Sequence, residues 1–487
     1  MQSANGLQIW VSRLDRRVYA LLVGAAVGLI AGLLGLLLAI ADPVVAIGGV
    51  LGMLAGLFML TNISLALYGI VAVLALLPFG TLPFRIGFTP TLLDSAIGAF
   101  LIVYMLQWMT GRRHQFRLTP VHALIALYWL WLVLSFILGL RHGALTPSVL
   151  NQFAQTLLSV GLTFVLVDVL RDTRMLRRLA LALMIGVSVQ ALVALSLYIL
   201  PDVAAERTLV RLARIGYPNG GVIRYIEDNP ALDERAIGTW IDPNTLGGVL
   251  AIGAVLIAPQ ILARQPALRP RGLALLALSL TGLALALTYS RASLLAFGAG
   301  LALIAWFRPY RLYGLALLLA GTALLFLPQT QGLVERFAAA FTGSDLATQM
   351  RLGEYSDSLR LIARYPITGV GFTGTPEIDI YTDVASMYLI MANQIGLVGV
   401  SIFALTMGAV AVYSAAAWRQ ARARPDLQAI HLGLHAALLA GLINAAADLY
   451  FFRIDFQASI TLFWLMVALA LASSRLMMDE STVAKTI

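Results

Sequence analysis

Apolar and polar positions along this chain alternate on a long scale, as blocks of roughly 20 apolar residues separated by short polar connections. The blocks fall near 18–40, 44–60, 63–79, 92–109, 121–140, 153–170, 178–200, 245–263, 272–288, 292–307, 311–328, 385–416, 429–450 and 456–473. A helix of about 20 residues crosses a hydrocarbon core of ~30 Å. The pattern therefore predicts an all-α integral membrane protein with about 12–14 transmembrane helices. A membrane β-barrel would show segments of ~10 residues with alternating polarity. The block at 385–416 is too long for one span, so a short helix at 385–394 is expected, followed by a span starting near Ile395.

Two polar stretches interrupt the pattern and give the chain five parts. These are N-terminal membrane helices (1–200), a first long loop (201–244), central helices (245–328), a second long loop (329–383), and C-terminal helices with a tail (384–487). Loops this long in a compact membrane protein point to function. In the second, Leu352, Tyr355, Leu359 and Ile362 recur at helical spacing, with Arg351, Glu354, Asp357 and Ser358 elsewhere on the surface. The spacing predicts an amphipathic helix that lies on the bilayer or caps a cavity, ended by Pro366.

Composition narrows the class. With 60% hydrophobic residues, 12% charged residues and a mean hydropathy of +0.87, the chain has too little charge for a soluble domain. The absence of cysteine excludes disulfides, zinc–thiolate sites and cysteine nucleophiles. Five scattered histidines give no basis for a metal site. The net charge of +9 reports topology rather than nucleic-acid binding. The arginine-bearing connections near 111–117, 171–178, 264–271, 308–311 and 419–424, together with both termini, hold most of the 33 basic residues. That asymmetry predicts that both termini and these connections are cytoplasmic and both long loops extracytoplasmic. Ala39-Ile40-Ala41 resembles a signal-peptidase site, but the apolar run before it is long enough to stay as a signal anchor.

The candidate chemistry sits in the outer segments. The first loop ends Arg235-Ala-Ile-Gly-Thr-Trp240-Ile-Asp242-Pro243-Asn244 and enters a span. A helix N-terminus with Arg235 close by favours an anion; the alternative is that Asn244 caps the helix and Arg235 pairs with Glu234. The short turn Thr288-Tyr-Ser-Arg291-Ala-Ser293 places Arg291 at the mouth of a helix pair, either holding a ligand or reaching lipid headgroups. Gly369-Val-Gly371-Phe-Thr-Gly374 matches a dinucleotide fingerprint by letter, but no βαβ unit surrounds it. Its glycines either offer backbone N–H groups to a phosphate or form an ordinary turn. Aromatic residues cluster in both loops (Tyr217, Tyr225 and Trp240; Tyr355, Tyr365, Phe372, Tyr381 and Tyr388), as sugar platforms or as an interfacial belt. Asp448 and Arg453 lie on the same side and either support the site or pair with each other; Asp94 and Asp168, near span ends, require no function.

Taken in order, these motifs resemble the O-antigen ligase and O-antigen polymerase superfamily. The matching residues are Arg235-x-x-Gly-Thr-x-x-Asp-Pro-Asn244, Thr288-Tyr-Ser-Arg291-Ala, Arg351…Pro366-Ile-Thr-Gly-Val-Gly371, and Tyr388-Leu389…Gln394-Ile-Gly-Leu-Val-Gly399, within residues 235–460. The resemblance implies a GT-C-like membrane glycosyltransferase. Such an enzyme takes a glycan from an undecaprenyl-diphosphate carrier on the extracytoplasmic face and passes it to a glycan, lipid A-core or protein acceptor. It implies no cofactor, metal or nucleotide sugar, because the lipid diphosphate is the leaving group. Arg235 and Arg291, with Arg351 and Gly371, are then expected to bind the donor diphosphate, and displacement to invert the anomeric carbon.

The family carries a histidine just before the Tyr-Leu pair, whereas this chain reads Asp383-Val-Ala385-Ser-Met-Tyr388-Leu389. Asp383 is then the first candidate base and Glu354 the second. A transporter or flippase of lipid-linked oligosaccharide is the competing class. It predicts internal repeats and polar mid-membrane positions, and the halves of this chain show no convincing repeat.

Overall fold

The computed structural model describes residues 62–82, 88–324, 346–374 and 384–483, with isolated positions at 28, 56, 326, 334–335 and 338. The signal-anchor region, the block at 44–60 and Asp383 lie outside the described residues. The chain divides into two units, Met1–Ile70 with Ser95–Phe116, and Val71–Asp94 with Arg117–Ile487.

Each apolar block from residue 63 onward is met by a helix: α1 (Ile63–Leu76), α2 (Leu92–Met109), α3 (His122–Gly139), α4 (Pro147–Val169), α5 (Thr173–Ile199), then, after the surface helix α6 (Asp202–Val210), α7 (Pro243–Ile257), α8 (Arg271–Leu287), α9 (Arg291–Trp306), α10 (Arg311–Leu324), and, after α11 (Leu346–Arg364), α12 (Met387–Trp418), α13 (Gln428–Asn444) and α14 (Gln457–Val483). Among the described residues, 7 helices are individually long and apolar enough to cross a membrane. α9 and the helix after it are bent by 114° to one another and pass the same length and hydropathy test only as a pair. This is a multi-pass membrane protein. Among the described residues, strand is confined to a two-residue hairpin in the first loop, Arg224–Tyr225 (β1) against Glu234–Arg235 (β2).

In the first unit Trp108 packs edge-on against Tyr104, with Arg113 over the Tyr104 ring at 5.5 Å. In the second unit α7 and α14 are the buried helices. α7 packs against α5, α8, α9 and α13, and α14 packs against α4, α12 and α13. Small residues make this approach possible: a Cβ on Gly247 would sit 2.6 Å from Ser293 Oγ, and one on Gly248 would sit 2.8 Å from Asn444 Nδ2.

Two carboxylates of the second unit, Asp94 and Asp168, are structural. Asp94 accepts from Gln155 Nε2 and Gln457 Nε2, each at 2.7 Å, tying the start of α2 to α4 and α14. Asp168 does not reach toward solvent; its side chain is fully buried, pairs with Arg171 and accepts from the Arg117 N–H at 2.7 Å.

α12 breaks at Gly396 (φ 69°), one residue from the expected split. A break frees carbonyls that must find donors in a membrane. Trp131 Nε1 donates to the Ile395 carbonyl at 2.8 Å, and the Gly371 and Val370 N–H groups donate to the Gln394 and Asn393 carbonyls at 2.9 and 2.8 Å. Glycine is required at 396, because a Cβ there would lie 2.1 Å from the Ile367 carbonyl oxygen. The Gly369–Gly374 loop is thus a plug for the broken helix. The Gly371 N–H, which the sequence leaves open to a phosphate or to an ordinary turn, is spent on the Gln394 carbonyl here.

α11 is a helix that ends ahead of Pro366, as its spacing predicts, and its leucine face is turned outward. Leu352 and Leu359 are each 59% exposed, whereas Ser358 and Leu361 are fully buried. The polar row of Glu354 and Ser358 turns inward because it has partners there: Glu354 accepts from the Ala385 N–H at 3.0 Å, and Ser358 donates to Asn393 Oδ1 at 2.9 Å. Each contact satisfies a polar group that burial would otherwise leave unpaired.

Candidate active site

α7 and α9 begin, and α8 and α13 finish, at one end of the second unit, and the loop motifs meet there. Asp242, not Asn244, caps α7, accepting from the Thr245 N–H at 2.7 Å, with Pro243 in the first turn. Asn244 is thereby available for another task. Arg235 Nη2 donates to Asn244 Oδ1 at 2.6 Å, and Arg235 Nε donates to the Thr288 carbonyl at 2.8 Å. The strand explains the direction. Neighbouring residues of a strand point to opposite faces, so Arg235 turns to the helix ends, whereas Glu234, opposite Tyr225, is pushed up to about 7 by burial and by Asp202.

Thr288 opens the turn that ends in Arg291, the first residue of α9. Ser290 caps α9 and contacts Ser293 Oγ at 2.9 Å; Ser293 Oγ donates to Asn444 Oδ1 at 2.9 Å. Arg291 is therefore half-buried on a helix start that α13 anchors. Two non-glycine residues beside these arginines adopt left-handed backbone, Ile241 (φ 61°) and Tyr289 (φ 51°). Such conformations cost on the order of 1–3 kcal/mol and gather at functional sites.

The residue that sequence reasoning undervalued is Asp448. It lies in the turn after α13 and is 3% exposed, and its Oδ2 has no hydrogen-bond partner among the described residues. Burial pushes its carboxyl up to about 7, with Arg351 pulling down, Asp242 pushing up and Arg235 pulling down. Arg453, its expected partner, instead pairs with Asp455 at 2.8 Å. The Tyr450 hydroxyl reaches Asp242 and Asn244. Met387 donates its N–H to the Asp448 carbonyl at 2.8 Å, so the Ala385-Ser386-Met387 segment runs beside this carboxylate. Tyr355 and Glu354 hold Ala385 from α11 through its carbonyl (3.2 Å) and its N–H (3.0 Å). The clue available in sequence was a lone carboxylate after an apolar span, which elsewhere in this chain marks only a span end.

Three of the loop aromatics, Trp240, Tyr217 and Phe372, are framework rather than open platforms, and Tyr381 lies outside the described residues. Trp240 is buried against Phe79 at 6.1 Å, as is Tyr217 at 6.2 Å, and Phe372 packs on Phe153 at 5.0 Å. A histidine does reach the second loop, but from the α3–α4 connection: His142 Nδ1 lies 2.9 Å from the Val370 carbonyl.

Residues 273–404 match the family described as O-Antigen ligase. The chain carries a domain of the O-antigen ligase/polymerase superfamily. A search of curated proteins finds no match to the chain. The O-antigen ligase domain contains the Thr288–Ser293 turn, α11, the Gly369–Gly374 loop and the break in α12. Arg235, Asn244 and Asp448 lie outside the matched residues and are brought to it by α7 and α13. The matched domain is of a glycosyltransferase-type family.

The opposite end of the unit is basic and closed. Arg177 donates to the Gln265, Pro266 and Asp426 carbonyls; Arg424 pairs with Asp426 and donates to Thr173; Arg475 donates to the Arg117 and Leu170 carbonyls. The arginine-bearing connections grouped by sequence are thus grouped in space, away from the candidate site.

Proposed function

We propose that this protein transfers a glycan from undecaprenyl diphosphate to an acceptor hydroxyl on the extracytoplasmic face of a bacterial inner membrane. The observation that carries this reading is Arg235, held by Asn244 at the start of α7 and by the Thr288 carbonyl of the turn that leads into Arg291, with the buried carboxylate Asp448 under the electrostatic influence of Arg235 and Arg351. The sidedness rests on the basic opposite end, since membrane proteins retain arginine in the cytoplasm; both termini are then cytoplasmic.

A diphosphate leaving group develops charge as the anomeric bond breaks, and fixed guanidinium groups stabilise it without reorganisation. Arg235, Arg291 and Arg351 have this role. Asp448 Oδ2 takes the proton of the acceptor hydroxyl. The acceptor oxygen bonds the anomeric carbon, the bond from that carbon to the diphosphate oxygen breaks, and undecaprenyl diphosphate leaves as the anion, with inversion. Glu354 positions Ala385 rather than serving as base, because its carboxylate is engaged by the Ala385 N–H. Asp383 is not needed in this scheme. The acceptor is a growing glycan, lipid A-core or protein.

Complementation tests the reading. Hosts lacking either an O-antigen ligase or an O-antigen polymerase would receive wild type, Arg235→Ala or Asp448→Asn, and surface glycan would be read on a gel. Restoration by wild type alone, at equal membrane levels, is expected. Equal restoration by both variants would reject the assignment, and movement of lipid-linked glycan without its release from the carrier would favour a flippase.

A further inference from the structure

A cleft of about 320 Å³ opens where the Gly369–Gly374 loop, the broken helix α12, the start of α4 and the 453–455 turn meet. That size is within the range of small-ligand pockets, roughly 300–1,000 Å³. Its lining includes Gln152, Phe372, Asn393, Gln394, Arg453 and Asp455. The ion pair Arg453–Asp455 leaves this wall without net charge.

The amides carry the information. Asn393 is 3% exposed; its Oδ1 accepts from Ser358, but its Nδ2 has no partner among the described residues. Gln394 Oε1 is buried and likewise unpartnered there. An unmet donor and an unmet acceptor therefore sit on consecutive residues of the cleft wall, and burial penalises each while it stays unpaired. A hydroxyl group donates and accepts at once, so a polyhydroxylated, uncharged ligand meets both needs. An anion would leave Gln394 unmet and face Asp455; a lipid tail would leave both amides unmet.

The cleft is linked to the arginine–aspartate cluster through α11. Ser358 holds Asn393, and Arg351 lies seven residues earlier on the same helix, about 10 Å along its axis. We propose that this cleft is a binding subsite for a neutral sugar unit of the glycan, displaced from the bond-forming centre. The proposal rests on the transferase reading for its ligand class, but its test does not depend on turnover.

Full-length protein in nanodiscs would be titrated with the free repeat-unit oligosaccharide released by mild acid from the host's own surface glycan, and binding read by saturation-transfer NMR. Wild type is expected to bind. Gln394→Leu, which removes the unmet acceptor, is expected to weaken binding at least tenfold, as is Gln152→Ala at the rim. Gln152→Ala keeps the test open if Gln394→Leu does not fold, as judged by thermal unfolding. Absence of binding by wild type, unchanged binding by folded variants, or displacement of the sugar by inorganic pyrophosphate would each overturn the subsite. None of these outcomes decides whether glycan is transferred, which the complementation experiment reads separately.

Discussion

Arg235 and Asn244 are joined by a 2.6 Å hydrogen bond that holds a loop guanidinium against the start of α7. The Thr288 carbonyl fixes the same guanidinium from the turn before α9. An asparagine beside Pro243 thus aims a cation, while Asp242 does the capping. Hydrogen bonds to charged groups contribute about 1.5–3 kcal/mol. Asn244→Ala is therefore expected to lower polyprenyl-diphosphate release by about 10- to 100-fold, since ~1.4 kcal/mol is tenfold. Unchanged turnover in reconstituted membranes would show that Arg235 needs no such guide.

Arg235→Lys keeps the charge but not the fork. A single ammonium does not reproduce the planar geometry that binds Thr288 and Asn244 together and still presents donors to a diphosphate. Loss of one preorganised donor costs roughly 10²–10³ in rate, and a fall of that order is expected in kcat. A variant within a few-fold of wild type would remove Arg235 from the reaction.

Asp448 sets the pH dependence. Its carboxyl is raised to about 7, chiefly by burial, and only the ionised form accepts a proton. The sign follows: kcat/KM rises with pH through about 7 and falls by about tenfold per pH unit well below it. Asp448→Asn is expected to abolish this limb along with most of the activity. A flat profile from pH 5 to 8 with active wild-type enzyme would exclude Asp448 as the base.

Gly396→Ala is expected to destabilise the site end of the protein without touching an arginine. The new Cβ meets the Ile367 carbonyl, and the backbone there is left-handed, at a cost on the order of 1–3 kcal/mol. Earlier protease cleavage near 366–374 and a lower unfolding temperature in nanodiscs would report it. Wild-type behaviour in both would mean that the loop does not plug the break.

The cysteine-free sequence makes orientation measurable. Ala231→Cys in the first loop is expected to react with an impermeant maleimide in intact cells, and Ala423→Cys at the basic end only after permeabilisation; both positions are exposed. The reverse pattern would invert the membrane plan.

The split in the last long apolar block was readable within a residue, because a stretch of 32 helical residues exceeds the bilayer. The inward partners of α11 were not, because hydrophobic spacing identifies a face without saying what lies opposite it. In a membrane protein the apolar face of Leu352 and Leu359 can point outward, while Glu354 and Ser358 find polar partners inside. His142 was invisible, and Asp448 legible only as a supporter of the site or a partner of Arg453, for a related reason: the neighbours of each come from distant segments.

By itself the sequence determined the spans, the grouping of arginine connections and the two loops that carry the motifs. These are local properties, set by the hydrocarbon thickness and the cost of burying charge over one helix length. Only the tertiary structure decided that Asn244 serves Arg235, that Gly371 closes a broken helix and that Asp448 stands beside Ala385. Each depends on which helix ends meet, and that is settled by packing of α7 against α9 and α13, not by any single segment's composition.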